Sequence, residues 1–443
     1  MSQALAALER ELGSAVRTDE ATLDRHRHDA WVLADLFDFE GRPSPRPLAV
    51  LEPTSTAEVA AALRIARAHH VAVVPFGGGS GVCGGVLPGA EAVVLSTRRL
   101  EGLVALDDVD LTARFRAGTL GIDAEHRVRE VGLTIGHWPQ SVAISTVGGW
   151  VATRASGQYS TAYGSIEDVV LALEAVLPDG SVLRTRETPR AAAGPDLRQL
   201  LLGSEGTLGV VTEVTFSLRP LPERTAGQAM HFASFDDGLE AIRRFVRAGF
   251  RPPVVRLYDA RESRRHFKEA CPRGRSMLLC IHEGPAVLVA AETSEVTRIG
   301  DGCGGAVADP AVVDHWLETR NRVPSFRSFL EQGVIVDTIE VAATWRRIGA
   351  VYDAVTKSLG EVPGILSATA HSSHSYRSGT NLYFSFAVRP AAASGMAAAY
   401  RECWRRTVEA TVAAGGGIAN DHGIGRVRRG FRGLELGAEG VAL

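Results

Sequence analysis

The chain has 443 residues, 45% hydrophobic and 22% charged. That is an ordinary globular balance, which excludes a disordered chain, a coiled coil or a collagen-like fibre, and the length suggests two or three domains. Lys and Arg number 48 against 51 Asp and Glu, a net charge of −3, so no basic field points to nucleic acid.

The N-terminus is charged and amphipathic, without the basic start and apolar core of a secretory signal. The least charged stretch, 133–153, carries Pro139 and several glycines and would not span a bilayer as a helix. Five cysteines, none in C-x-x-C spacing, read as reduced thiols of a reducing compartment. A cytoplasmic protein is expected; a peripheral membrane contact stays open.

Residues 47–52 read as a strand, and Ser55 and Glu58 open a helix over 57–70. A β-branched strand over 71–74 stops at Pro75. Short strands follow near 93–95, 103–105 and 111–115, then a helix over 121–131. Asp179-Gly180 between β-rich runs marks a hairpin. A helix over 195–202 leads through a glycine-rich loop into a strand over 210–218. Arg219-Pro220-Leu221-Pro222-Glu223 is the expected boundary between domains at 1–220 and 221–443. Beyond it strands are expected at 228–232, 254–258, 277–282, 334–341 and 381–388. Helices are expected at 235–248, 286–299, 345–359 and 391–414. This order suggests an α+β domain with an antiparallel sheet.

Three blocks rich in small residues carry the chemistry. The first, PFGGGSGVCGG, contributes Pro75, Gly77, Gly78, Gly79, Ser80, Gly81, Val82 and Cys83. Gly79, Gly81 and Gly84 match G-x-G-x-x-G, but Pro88-Gly89 and a β-rich run follow where a dinucleotide motif needs a helix. Successive glycines still expose N–H groups in a nest suited to a pyrophosphate. The second block contributes Ser141, Thr146, Gly148, Gly149, Thr153, Ser156, Gly157 and Tyr163. Its small side chains let backbone lie flat against a planar group. The third, GSEGTLGVV, contributes Glu205, Gly206, Thr207, Gly209 and Val211.

In this order and spacing the blocks resemble the vanillyl-alcohol oxidase / p-cresol methylhydroxylase superfamily of flavoproteins. Within it, STVGGWVATRASG, YGSIED, RLYD, TNLYFSF and GGGIANDHGIGRVRR are most similar to the alkylglycerone-phosphate (alkyl-dihydroxyacetonephosphate) synthase family. The resemblance implies a two-subdomain FAD-binding domain followed by an α+β cap. It implies non-covalent FAD, since Ser80 and Cys83 stand in the loop where some relatives attach flavin through histidine. It also implies exchange of the acyl group of acyl-dihydroxyacetone phosphate for a fatty alcohol. Family members continue past this point, so the C-terminus reads as abbreviated.

Two other readings stay open: an FAD-linked D-2-hydroxyacid dehydrogenase, and an FAD-binding protein without catalysis. Metal-using dehydrogenases of that group carry paired histidines where Tyr376 and Tyr383 stand here. Phenols are poor divalent-metal ligands, so no metal is expected. His371 and His374, three apart, would share one side of a helix but not of a strand.

His422, in a glycine-flanked loop, is the first candidate proton carrier. The synthase family has consecutive histidines there, whereas this chain has Asp421-His422, and Asp421 would orient the imidazole or raise its pKa. Tyr383 is the second acid–base candidate. Arg256 and Arg327 are candidates to grip a phosphate or carboxylate. The expected partner is a small-molecule or lipid-like substrate, with no nucleic acid; a homodimer stays open.

Overall fold

The computed structural model describes residues 2–322 and 325–442. The chain divides into two compact units. The first comprises the chain up to Ser156, Ser165–Pro220 and Asp421–Val427; the second comprises Gly157–Gly164, Leu221–Asn420 and the chain from Arg428 onward. Each unit therefore takes in a short segment from a distant part of the sequence.

In the first unit, Val16–Arg17, Ala49–Leu51, Val93–Ser96 and Val73–Phe76 form a four-stranded sheet in that order. The last three run parallel. Helix Thr56–Ala68 supplies the crossover, and its N-cap is Ser55, whose side chain accepts from Glu58 N at 3.2 Å. Pro75 does not end its strand, which runs on to Phe76. It lies at the sheet edge, where a missing N–H breaks no ladder. Leu8 and Leu12 of helix Ser2–Leu12 join Val59, Leu63, Leu51 and Val93 in one core.

A second sheet of this unit, antiparallel throughout, orders Leu103–Asp107, Thr112–Arg116, Val210–Ser217, Val170–Val176 and Val182–Arg184. Phe115, Phe216 and Trp150 fill the core beneath it. Such aromatic burial contributes on the order of 1.5–3 kcal/mol per side chain.

The second unit is built on one seven-stranded antiparallel sheet. Its order is Ala306–Val307, Arg224–Phe232, Ser276–Gly284, Val254–Tyr258, Ile365–Ser372, Gly379–Val388 and Ile335–Thr344. Helix Phe235–Arg247 starts from a Ser234/Asp237 capping box and buries Leu239, Ile242 and Phe245. Helix Met396–Ala413 is tied to the sheet through Asp337, whose carboxylate accepts from Tyr400 Oη at 2.8 Å and Trp404 Nε1 at 3.0 Å. Among the described residues no helix is long and apolar enough to cross a membrane.

Candidate functional site

The three small-residue blocks, Gly157 and Tyr163 apart, converge in the first unit. A Cβ on Gly78 would collide with the Ile144 carbonyl, and one on Gly77 with the Thr146 hydroxyl. The first block therefore lies with its backbone directly on the second. A Cβ on Gly206 would sit 2.6 Å from Pro75 Cγ, so the third block backs the first as well. Gly79 has φ +68, the left-handed conformation that turns successive N–H groups to one side. Among the described residues, no N–H from Gly77 to Val82 donates to an intrachain acceptor. A half-exposed run of six unsatisfied donors fits the phosphates of a dinucleotide cofactor.

The loop that carries His422 docks on the same block. Arg426 N donates to Cys83 O at 2.9 Å, and Glu205 accepts from Ile424 N at 3.2 Å and Gly425 N at 3.1 Å. Glu205, expected as a cofactor contact, thus positions the His422 loop, and it does so with φ +48. Asp421 is buried beside the half-buried His422, with Oδ2 3.8 Å from Nε2.

Residues 29–31, which sequence reasoning missed, support the glycine loop from behind. Ala30 N donates to Gly79 O at 3.0 Å, Val86 N donates to Asp29 Oδ2 at 3.2 Å, and Trp31 packs beneath Gly84. Asp29 is 4% exposed and its Oδ1 has no hydrogen-bond partner. Burial, only partly offset by N–H groups of the loop, pushes its carboxyl up to about 7.

The second unit gathers a polar cluster on its sheet. Register sets Glu340 opposite Tyr383, Tyr383 opposite His371, and His371 opposite Tyr258, so the four occupy one cross-strand row. His371 stacks on Tyr383 with ring centroids 5.0 Å apart. Burial holds the His371 imidazole below its ordinary value, with Glu262 pulling the other way from 3.2 Å. Burial likewise raises the Tyr258 phenol and drops His266 to about 4.

His374, just past the strand, puts Nε2 3.0 Å from Tyr383 Oη, and its Nδ1 lies 2.6 Å from Ser160 Oγ. Both histidines therefore meet Tyr383, one by strand register and one by a turn, which the spacing of three did not disclose. Glu340 is fully buried against Arg428, and the two side chains form an ion pair.

Arg256 is half-buried, and its guanidinium donates to Tyr258 Oη at 2.8 Å and Ser373 Oγ at 2.6 Å. It lies over the Trp316 ring at 5.5 Å, as does Arg320. Among the described residues Arg256 has no carboxylate partner. A fixed guanidinium held only by hydroxyls keeps its charge available for an anion. Arg320, which the sequence did not single out, adds a second cation at the same indole. Arg327 is placed on an exposed turn of helix, its side chain 71% accessible and 3.3 Å from Glu331.

The other expected cofactor residues divide between the units. Thr146 caps helix Val147–Thr153, where Gly148 lies against Ala117 and Gly149 donates to the cap. The Thr153 hydroxyl donates to the Gly149 carbonyl, and the Ser156 and Ser165 hydroxyls bond to each other. Ser141 accepts from Ser145, Thr207 turns back on Ser204, Gly209 abuts Val176 O and Val211 pairs with Ala175. Gly157 and Tyr163 belong to the second unit, where Tyr163 Oη donates to Glu283 at 2.6 Å.

Residues 47–186 match the family described as an FAD binding domain, and 221–443 match the C-terminal domain of FAD linked oxidases. The chain is 33% identical over 446 residues to YgcU, an uncharacterized FAD-linked oxidoreductase of Escherichia coli (strain K12), covering 96% of this chain and 90% of that one. It is 30% identical over 456 residues to the alkyldihydroxyacetonephosphate synthase of Trypanosoma brucei brucei, covering 94% and 74%. A solved alkyldihydroxyacetonephosphate synthase superposes with TM-score 0.82 at 24% identity, over 94% of this chain and 81% of that one, a likeness of fold.

The chain belongs to the FAD linked oxidases. It is an FAD-dependent enzyme, and the α+β architecture expected from the sequence is the one observed.

Proposed function

We propose that this enzyme exchanges the acyl group of an acyl-dihydroxyacetone phosphate for a fatty alcohol; the relatives that support this reading are named alkyldihydroxyacetonephosphate synthase. The observation that carries the reading is Arg256: a half-buried guanidinium, oriented by two hydroxyls and without a carboxylate, suits a phosphate. Bound FAD supplies an electron sink at the substrate carbon. The chain's own residues do the rest. The N–H groups of Gly77–Val82 hold the pyrophosphate, and the second and third blocks keep that loop open. Arg256 orients the substrate by its phosphate. Tyr383 and His422 give and take protons, Asp421 orients the His422 ring, and no metal takes part.

Anaerobic flavin spectra test this reading. With acyl-dihydroxyacetone phosphate and a fatty alcohol, ether product should form with no net bleaching. Stoichiometric bleaching by D-lactate or glycolate, without ether formation, would assign the enzyme to 2-hydroxyacid oxidation instead.

A further inference from the structure

Tyr383 does not stand alone, and its partners lie on two separate stretches of the second unit. Segment Gly157–Gly164 is fixed to that unit at three points. Ser375 N donates to Thr161 Oγ1 at 3.2 Å, Arg251 Nε donates to Thr161 O at 3.0 Å, and Tyr163 Oη donates to Glu283. This places Ser160 Oγ 2.6 Å from His374 Nδ1, while His374 Nε2 lies 3.0 Å from Tyr383 Oη. The three side chains are each less than a tenth exposed. The His374 backbone is fixed too, since Asn381 Oδ1 accepts from both Ser373 N and His374 N.

We propose that Ser160, His374 and Tyr383 form a proton relay in which His374 is the base for the Tyr383 phenol and Ser160 sets its tautomer. The inference rests on the role given to Tyr383 above. Of the three groups the phenol is the most acidic donor and an imidazole nitrogen the best acceptor, so Tyr383 O–H donates to Nε2. The ring proton then resides on Nδ1 and donates to Ser160 Oγ. When a substrate proton passes to Tyr383 Oη, the Oη–H bond already present breaks and an Nε2–H bond forms. The imidazolium holds that proton until the return step reverses both moves. The balance needs no outside acid or base.

The neighbours suit this division of labour. His371 stacks on the Tyr383 ring but is engaged with Glu262. Glu340, opposite Tyr383 in the ladder, is neutralised by Arg428. Arg256 and Tyr258 lie on the far side of His371 and are bonded to each other. His374 is a base in direct hydrogen-bond contact with the phenol. His374 is a positioning residue in this account, because it acts through Tyr383.

The test is 15N NMR of histidine-labelled holoenzyme, with the His374 resonances among the thirteen histidines assigned by their loss in His374→Gln. The relay requires a protonated Nδ1 and a bare Nε2, a mixture of tautomers in Ser160→Ala, and a shifted pH profile of turnover in that variant. His374→Gln should lose about 10²-fold in kcat with KM and the flavin spectrum unchanged. An Nε2–H tautomer in the wild type, or a pH profile identical in Ser160→Ala, would overturn it. Full turnover by Tyr383→Phe would instead remove the role of Tyr383, and the relay's task with it.

Discussion

Glu205 holds Gly425 across 220 positions of sequence: both carboxylate oxygens lie 3.1 Å from the Gly425 N–H. One side chain thereby joins the third small-residue block to the loop of His422. Charge-assisted bonds of this kind contribute about 1.5–3 kcal/mol. Glu205→Ala is expected to lower the melting temperature and weaken FAD retention, measured by fluorescence of released flavin. Glu205→Gln should recover part of both.

Gly78 tests the cradle itself. Any side chain there meets the Ile144 carbonyl, which is backbone and cannot step aside. Gly78→Val should yield protein that neither retains nor takes up FAD. Gly89→Ala, where a Cβ meets nothing within 4 Å, should bind FAD normally.

Asp29 makes stability depend on pH. Its folded pKa, about 7, lies above the ordinary 3.8. The neutral form is therefore favoured in the fold, its contribution is complete below about pH 4, and it is lost as pH rises toward 7. A shift of this size corresponds to about 4 kcal/mol. His266, held at about 4, works in the opposite sense over much of this window. Thermal melts from pH 4 to 8 should therefore show Asp29→Asn gaining on the wild type as pH rises to about 7 and holding that gain above it.

Glu340 and Arg428 are both fully buried. Removing one partner leaves a charge without its counterion, at a cost of about 3–5 kcal/mol. Arg428→Met should show that loss in urea unfolding, and Glu340→Gln combined with Arg428→Met should regain much of it.

The strands with strong β-branched patterns were legible in the sequence, and Val254–Tyr258 falls where its pattern placed it. Strand Ile365–Ser372 was not, because ILSATAHS is dominated by small and polar residues and lacks a clean alternation. Missing it hid the register that sets His371 against Tyr383. The glycine blocks announced themselves by composition. Asp29 and Trp31 did not, since nothing local marks residues whose partners lie some fifty positions on. Ser160 was hidden by its neighbours: it sits in a block read as cofactor-binding, and only the fold attaches it to His374.

His422→Ala and Tyr383→Phe should each lose about 10²–10⁴-fold in turnover while the flavin spectrum stays normal. Prolonged chelation should leave turnover unchanged, and elemental analysis should find no stoichiometric metal.

The most direct test of the central claim follows the oxygen of the alcohol. If the bond between the dihydroxyacetone carbon and the ester oxygen breaks, so that the fatty acid leaves with that oxygen, the ether oxygen must come from the alcohol. Holoenzyme incubated anaerobically with acyl-dihydroxyacetone phosphate and 18O-labelled hexadecanol should give ether carrying the label, with one fatty acid released per ether and the flavin oxidised at the end. Absence of labelled ether, together with flavin reduction by a 2-hydroxyacid, would contradict it.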